Sequence, residues 1–127
     1  MNKVVFDSSA IIALLNQEKG FDIVEKYLSN CIISAVNLSE AVVVLMKVGI
    51  SQKQAEDMLI ELIEEIVPFD QQQAFVAAKL RIPTKNYGLS LGDRACLALG
   101  LIKKLTVITA DKIWMKLKLN IKVQCIR

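Results

Sequence analysis

Short runs of β-branched and aliphatic residues alternate with helical segments along the whole chain, and this alternation restricts the fold more than any other feature. Residues 3–6, Cys31 to Ser34, Ile66 with Val67, and Thr106 to Thr109 read as strands, and Ile121 to Gln124 as a final one. Between them, Ser8 to Asn16, 21–29, Asn37 to Val48, Ser51 to about Glu64, Asp70 to about Ile82 and Ser90 to Ile102 read as helices, with a short helix from about Lys112. Gly20 and Gly49 close their units, Pro68 follows the third strand, and Pro83 is expected to stop the helix begun at Asp70. Strands separated by helices predict an α/β fold with three layers: a central, mainly parallel sheet of four to five strands, helices on both faces. No repeat or Gly/Pro/Ser-rich linker divides residues 1–127, so one domain is expected, and 54% hydrophobic residues supply its core and argue against disorder.

What is missing narrows the chemistry. The chain has no histidine, which removes Ser-His and Cys-His nucleophile systems and the usual zinc sites. Cys31, Cys96 and Cys125 are far apart and form no Cys-x-x-Cys pair; they read as small buried hydrophobes rather than a disulfide framework. A hydrolase built from this composition must activate water with carboxylates, lysine or a metal held by oxygen ligands. Apolar runs such as Ala95 to Ile102 fall far short of the roughly 20 residues of a membrane span. The start of the chain lacks the apolar core of a secretory signal. The expected setting is the cytoplasm, away from membranes.

Charge is unevenly placed. Residues 103–127 carry seven basic residues and one acid, against a net charge of +3 for the whole chain, while six acids and no basic residue lie between Lys53 and Lys79. From composition alone, each stretch is as well explained by a solvated face as by a binding surface.

Four acids have a shared expected location. Asp7 follows the first strand and Asp111 follows LTVIT; Glu40 and Asp93 fall in the expected first turns of the helices after the second strand and after Ser90. In a parallel sheet all four face the carboxyl edge, where ligands bind near the point of strand-order reversal. Each also has a structural explanation. Asp7 and Asp111 could be N-caps, and Asn37 with Glu40 and Ser90 with Asp93 have capping-box spacing. Helix starts also favour acids through the helix dipole. Gathered together, however, carboxylates repel one another unless cations are present, and Mg²⁺ is the kind of hard ion that carboxylates, water and phosphate hold.

The segments VVFDSSAIIALL, SAVNLSEAVVVL, LSLGDRACLALG and LTVITADKIW resemble, in order and across nearly the whole chain, the four acidic motifs of the PIN-domain nucleases. The short form is similar to the VapC-type toxins of VapBC toxin–antitoxin pairs. The eighteen-residue step from Asp93 to Asp111 and the Thr-Ala-Asp ending are the most specific parts. The resemblance implies a PIN-like fold and a Mg²⁺- or Mn²⁺-dependent endoribonuclease. It further implies a homodimer and a cognate VapB-like antitoxin that blocks the site. Carried over, Asp7, Glu40, Asp93 and Asp111 form the catalytic, metal-binding set, with Ser9 and Thr109 as supporting hydroxyls. Some relatives place a further acid after Asp111, where this chain has Lys112, Ile113 and Trp114; this bears on the second metal position.

RNA is expected over the basic end, with Lys112, Lys116 and Lys118 on its backbone; Arg94 either reaches a phosphate or points to solvent. Trp114 reads as a packing residue that closes the last helix onto the sheet. The runs Ile11 to Leu15 and Val42 to Met46 are too apolar for one narrow stripe, so they are either buried on both sides or open to a second protein. Three other readings compete. A catalytically silent PIN-like module would bind RNA or protein, but its signature, a lost acid, is absent. A haloacid-dehalogenase-type phosphohydrolase also places an acid after its first strand, but this chain has only Ser9 two residues on and lacks the downstream Gly-Thr. A receiver domain needs an early acidic pair, which is also absent.

Overall fold

The structure, a computed structural model, describes residues 2–127. Five strands form one sheet: β1 (Val4–Phe6), β2 (Cys31–Ser34), β3 (Glu65–Val67), β4 (Thr106–Thr109) and β5 (Val123–Cys125). Their order is β3-β2-β1-β4-β5 and every pairing is parallel. Seven α-helices connect them: α1 (Ser8–Leu15), α2 (Phe21–Lys26), α3 (Ala35–Lys47), α4 (Gln52–Leu62), α5 (Gln71–Lys79), α6 (Arg81–Thr84) and α7 (Leu91–Lys103). Short 3-10 turns cover Leu28–Asn30, Lys85–Tyr87 and Lys112–Lys116. This is the three-layer α/β/α arrangement expected from the sequence, with a sheet of five strands.

Period-two alternation divides the core. Val4, Phe6, Cys31, Ile33 and Ile108 face a layer that includes Ile11 and Ala13 of α1, Leu45 of α3 and Leu59 of α4. Val5, Ile32 and Val107 face the opposite layer, where Ala77, Leu97, Leu99 and Trp114 pack. Full burial of such side chains contributes on the order of 1.5–3 kcal/mol each. Helix α7 is buried from Ala95 to Gly100 without interruption, as expected for a helix apolar on every side.

Several boundaries differ from the sequence expectation. Helix α3 begins at Ala35, not Asn37, because the Ser34 hydroxyl accepts from Val36 N at 3.2 Å and caps it. Glu40 therefore lies in the second turn, and Asn37 is not a cap. Pro83 does not stop the helical path. The break falls at Leu80, and Pro83 sits in the first turn of α6, where a missing N–H has no intrahelical partner to lose. The last strand starts two residues later than expected. Among the described residues, no helix is long and apolar enough to cross a membrane.

Candidate active site

Strand order reverses around β1: β2 and β3 lie on one side, β4 and β5 on the other. Such a switch point opens a crevice at the carboxyl ends of the strands. Asp7 leaves β1 there, with its backbone N–H donating to Ile108 O of β4 at 3.0 Å. Although Asp7 occupies the N-cap position of α1, its side chain makes no capping hydrogen bond. Its carboxylate is buried and committed elsewhere.

Two hydroxyls converge on one of its oxygens. Ser9 Oγ donates to Asp7 Oδ2 at 2.6 Å, and Thr109 Oγ1 donates to the same oxygen at 3.0 Å. Both hydroxyl oxygens in turn accept backbone N–H groups, Ser9 from Ala110 at 2.9 Å and Thr109 from Asp111 at 3.1 Å. Because each oxygen already receives a proton donor, its own O–H is left to point at Asp7. Oδ2 is thus satisfied twice, whereas Oδ1 is buried with no partner.

Burial pushes the Asp7 carboxyl up from its ordinary value to about 6. The Ser9 bond opposes this, the Asp93 charge adds to it, the Thr109 bond opposes it and the Glu40 charge adds to it, in decreasing order of effect. Asp7, Glu40 and Asp93 are therefore one electrostatic group. The same three acids, after burial itself, raise the Cys96 thiol well above its usual range, which keeps this buried sulfur protonated and unsuited to bind metal or attack as thiolate.

Glu40 is held from two sides. Its Oε1 accepts from Ser8 Oγ at 3.2 Å and from Asn37 Nδ2 at 2.9 Å. Asn37 Nδ2 also donates to Gly92 O at 2.9 Å, joining α3 to the start of α7. Asp93 completes a capping box: its N–H donates to Ser90 Oγ at 3.2 Å, and its Oδ2 accepts from Ser90 N at 2.9 Å. Asp111 is exposed and caps the turn that follows, accepting from Ile113 N at 3.0 Å.

The four expected carboxylates differ in how each is held. The Asp93 and Glu40 charges act on Asp7, and Asp111 is linked to it through Thr109, whose Oγ1 accepts from the Asp111 N–H and donates to Asp7 Oδ2. Among the described residues, no three acids or cysteines stand close enough to share an ion as their side chains are placed. Each carboxylate accepts from nearby donors, Asp7 through Oδ2 alone. The donor chemistry nevertheless fits a hard cation: the ligating atoms are all oxygens, and Asp7 Oδ1 is a buried acceptor without a donor.

Other expected residues are spread out. Lys112, Lys116 and Lys118 are exposed, and Lys112 borders a depression of about 430 Å³ beside Ser9 and Asp111. Arg94 is half-buried and takes neither expected course. Its Nη1 donates to Ala77 O at 2.9 Å and docks α7 onto α5. Trp114 is buried, as its packing role requires. The sequence expectation does not include Asn37 and Ser8 as partners of Glu40; the i, i+3 spacing of Asn37 and Glu40 is the available signal, and it reflects this side-chain bond rather than a cap.

The chain matches the PIN domain over residues 4–118. It belongs to the PIN-domain family. No curated protein matches it by sequence. Among solved structures, its PIN fold is similar to a toxin–antitoxin complex from Klebsiella pneumoniae, at 23% identity and TM-score 0.76 over 98% of each chain. It is also similar to DNA-bound VapBC from Salmonella typhimurium, at 17% identity and TM-score 0.74 over 100% of each. A third is a sarcin–ricin loop cleaving VapC toxin of Mycobacterium tuberculosis, at 12% identity and TM-score 0.73 over 90% of this chain and 95% of that one. At these identities the likeness establishes the fold, that of VapC-type PIN proteins.

Proposed function

We propose that this PIN domain is a Mg²⁺- or Mn²⁺-dependent endoribonuclease and the toxin of a type II toxin–antitoxin pair. The observation that carries the reading is the state of Asp7: one oxygen accepts from two hydroxyls, the other is buried and unpartnered, and the Asp93 and Glu40 charges act on the group. A buried carboxylate with a bare oxygen beside two more acids is costly unless a cation is part of the design.

Asp7 and Asp93 are the main ligands in this proposal, with Glu40 and Asp111 completing the shell directly or through water. When bound, the metal neutralises phosphate charge and lowers the pKa of an attacking water. The protein's own part is positional. Ser9 and Thr109 fix the plane of the Asp7 carboxylate. Asn37 and Ser8 fix Glu40 toward the start of α7. Asp111 presents a solvent-facing carboxylate that can receive a proton from water. Asp93 offers Oδ1, since the Ser90 N–H engages only its Oδ2. Lys112, Lys116 and Lys118 contact the RNA backbone, which makes binding weaken as salt rises.

The antitoxin partner and a homodimer are part of the same proposal. Support comes from the toxin–antitoxin proteins that share the fold and from apolar side chains left exposed on the helices, among them Val43 and Met46 of α3 and Phe75 of α5.

The test is cleavage of structured RNA by purified protein with Mg²⁺, with Mn²⁺ and with chelator. Cleavage that needs the ion and disappears in Asp93→Asn is expected. No cleavage under any condition would favour the silent binding module, and phosphate release from small monoesters would favour the phosphohydrolase.

A further inference from the structure

Arg127 reaches the border of the acidic site because local contacts fix the segment that carries it. Ile126 is buried, and its N–H donates to Thr109 O at 2.9 Å, so the chain beyond β5 runs beside the end of β4. The turn between α1 and α2 closes against it. Gly20 adopts φ +93, and a Cβ there would stand 2.2 Å from Ile126 O, so only glycine allows this approach. The Arg127 guanidinium then forms an ion pair with Glu18 through Nη2, and the Glu18 backbone is itself tied to Ala13 O at 2.8 Å.

The result is a depression of about 430 Å³ with Ser9, Ala110 and Asp111 along it and Lys112 and Arg127 as its cations. Ser9 is shared, since its hydroxyl also holds Asp7 Oδ2. The depression is therefore a direct continuation of the acidic site. Lys112 belongs to none of the ion pairs among the described residues. The acids nearby are Asp111, capping its own turn, and Glu18, paired with Arg127.

We propose that this depression is a subsite for an RNA phosphodiester adjacent to the one cleaved, with Arg127 and Lys112 as its cationic groups. The inference rests on the endoribonuclease reading and adds a residue and a place to it. The Glu18 contact orients the guanidinium in advance and leaves further N–H donors free. Such a fork suits bidentate contact with phosphate oxygens and loses little freedom on binding. As a structural tie alone the pair would matter little, because its side chains are 37% and 36% exposed and exposed pairs contribute weakly to stability.

Binding of a labelled single-stranded oligoribonucleotide, measured across a salt series in an Asp7→Asn background that leaves the RNA intact, separates the two roles. Arg127→Ala is expected to make the log–log salt dependence shallower by about 0.7, the loss of one phosphate contact on a single strand. Arg127→Lys keeps most of the slope. Lys47→Ala, a cation at the far end of α3, leaves it unchanged. Glu18→Gln, whose amide oxygen still accepts from the guanidinium and so keeps its orientation while the competing charge is gone, binds RNA as tightly as the parent or more tightly. The proposal is overturned if Arg127→Ala keeps the parental slope, or if Glu18→Gln weakens binding as Arg127→Ala does. It is equally overturned if Arg127→Ala spares RNA but weakens binding of polyglutamate, which would assign the subsite to an acidic protein. Ion-dependent cleavage by the wild-type chain is scored separately, so failure of the subsite and failure of the nuclease reading give different results.

Discussion

Gly92 and Glu40 occupy space that only a glycine permits them to share: a Cβ on Gly92 would stand 2.1 Å from Glu40 Oε2 and 2.5 Å from its Cδ. The Glu40 carboxylate therefore lies directly against the backbone of α7, one residue before Asp93. Glycine in a helix ordinarily costs about 1 kcal/mol relative to alanine. Here it makes room for an acid that must reach the neighbouring helix.

Gly92→Ala consequently sets two effects against each other. Helix propensity favours alanine, so the folded state should change little in urea or thermal unfolding. Glu40, in contrast, must move away, and misplacement of about 1 Å in such a site costs on the order of 100-fold in rate. The expected outcome is a folded protein with ion-dependent RNA cleavage reduced by about that factor. Full activity in Gly92→Ala would remove Glu40 from the working site.

Asn37 acts on the same carboxylate through hydrogen bonds. It is fully buried, and its Nδ2 serves both Glu40 Oε1 and Gly92 O. Asn37→Ala leaves these acceptors without their donor, which should destabilise the fold by about 1–3 kcal/mol and lower activity as well. Asn37→Asp is expected to be worse on both counts, because it adds a buried carboxylate beside Glu40. Denaturant midpoints for the two variants, compared at neutral pH, decide the order.

How far this site was legible in the sequence depends on the range of the interaction. The parallel sheet followed from local periodicity and from alternation of elements, and Ser90 with Asp93 makes the capping box its spacing suggested. Asn37 has the spacing of a cap but is not one, because a helix start is decided by whichever residue caps best, and Ser34 caps α3 three residues earlier. The Gly92–Glu40 contact had no local signal at all, since it joins residues far apart in the chain through the packing of α3 on α7. The placement of Asp111 was similarly out of reach. Strand order shows which edge it shares with Asp7, but Thr109 standing between them is a side-chain fact.

Ser9 and Thr109 should tune the acidity of Asp7. Both donate to its charged form and oppose the rise caused by burial, Ser9 more than Thr109. Ser9→Ala is therefore expected to move the acid limb of the cleavage pH profile upward, and Thr109→Val to move it by less. A downward movement in either variant would mean that these hydroxyls do not stabilise the carboxylate.

Asp7 itself carries a stability consequence with a defined sign. Burial raises its carboxyl from an ordinary 3.8 to about 6 in the fold, so the folded state holds the proton more tightly than the unfolded chain. Below the unfolded value both states are protonated and burial of this group costs nothing electrostatic. As pH rises through the folded value, the fold must hold a buried anion, and stability falls by about 3 kcal/mol in the absence of metal. Asp7→Asn removes that anion while its Oδ1 still accepts from Ser9 and Thr109, and the unpaired Nδ2 at the other, buried position offsets part of the gain. The variant should therefore be more stable than wild type at pH 7 by about 1–3 kcal/mol, with the advantage vanishing below about pH 4. A dication that binds the carboxylates should raise the wild-type melting temperature at pH 7 and leave Asp7→Asn nearly unchanged. Chelated samples melted at both pH values, then repeated with Mn²⁺, would expose an error in this account if the substitution destabilised the protein equally at each pH.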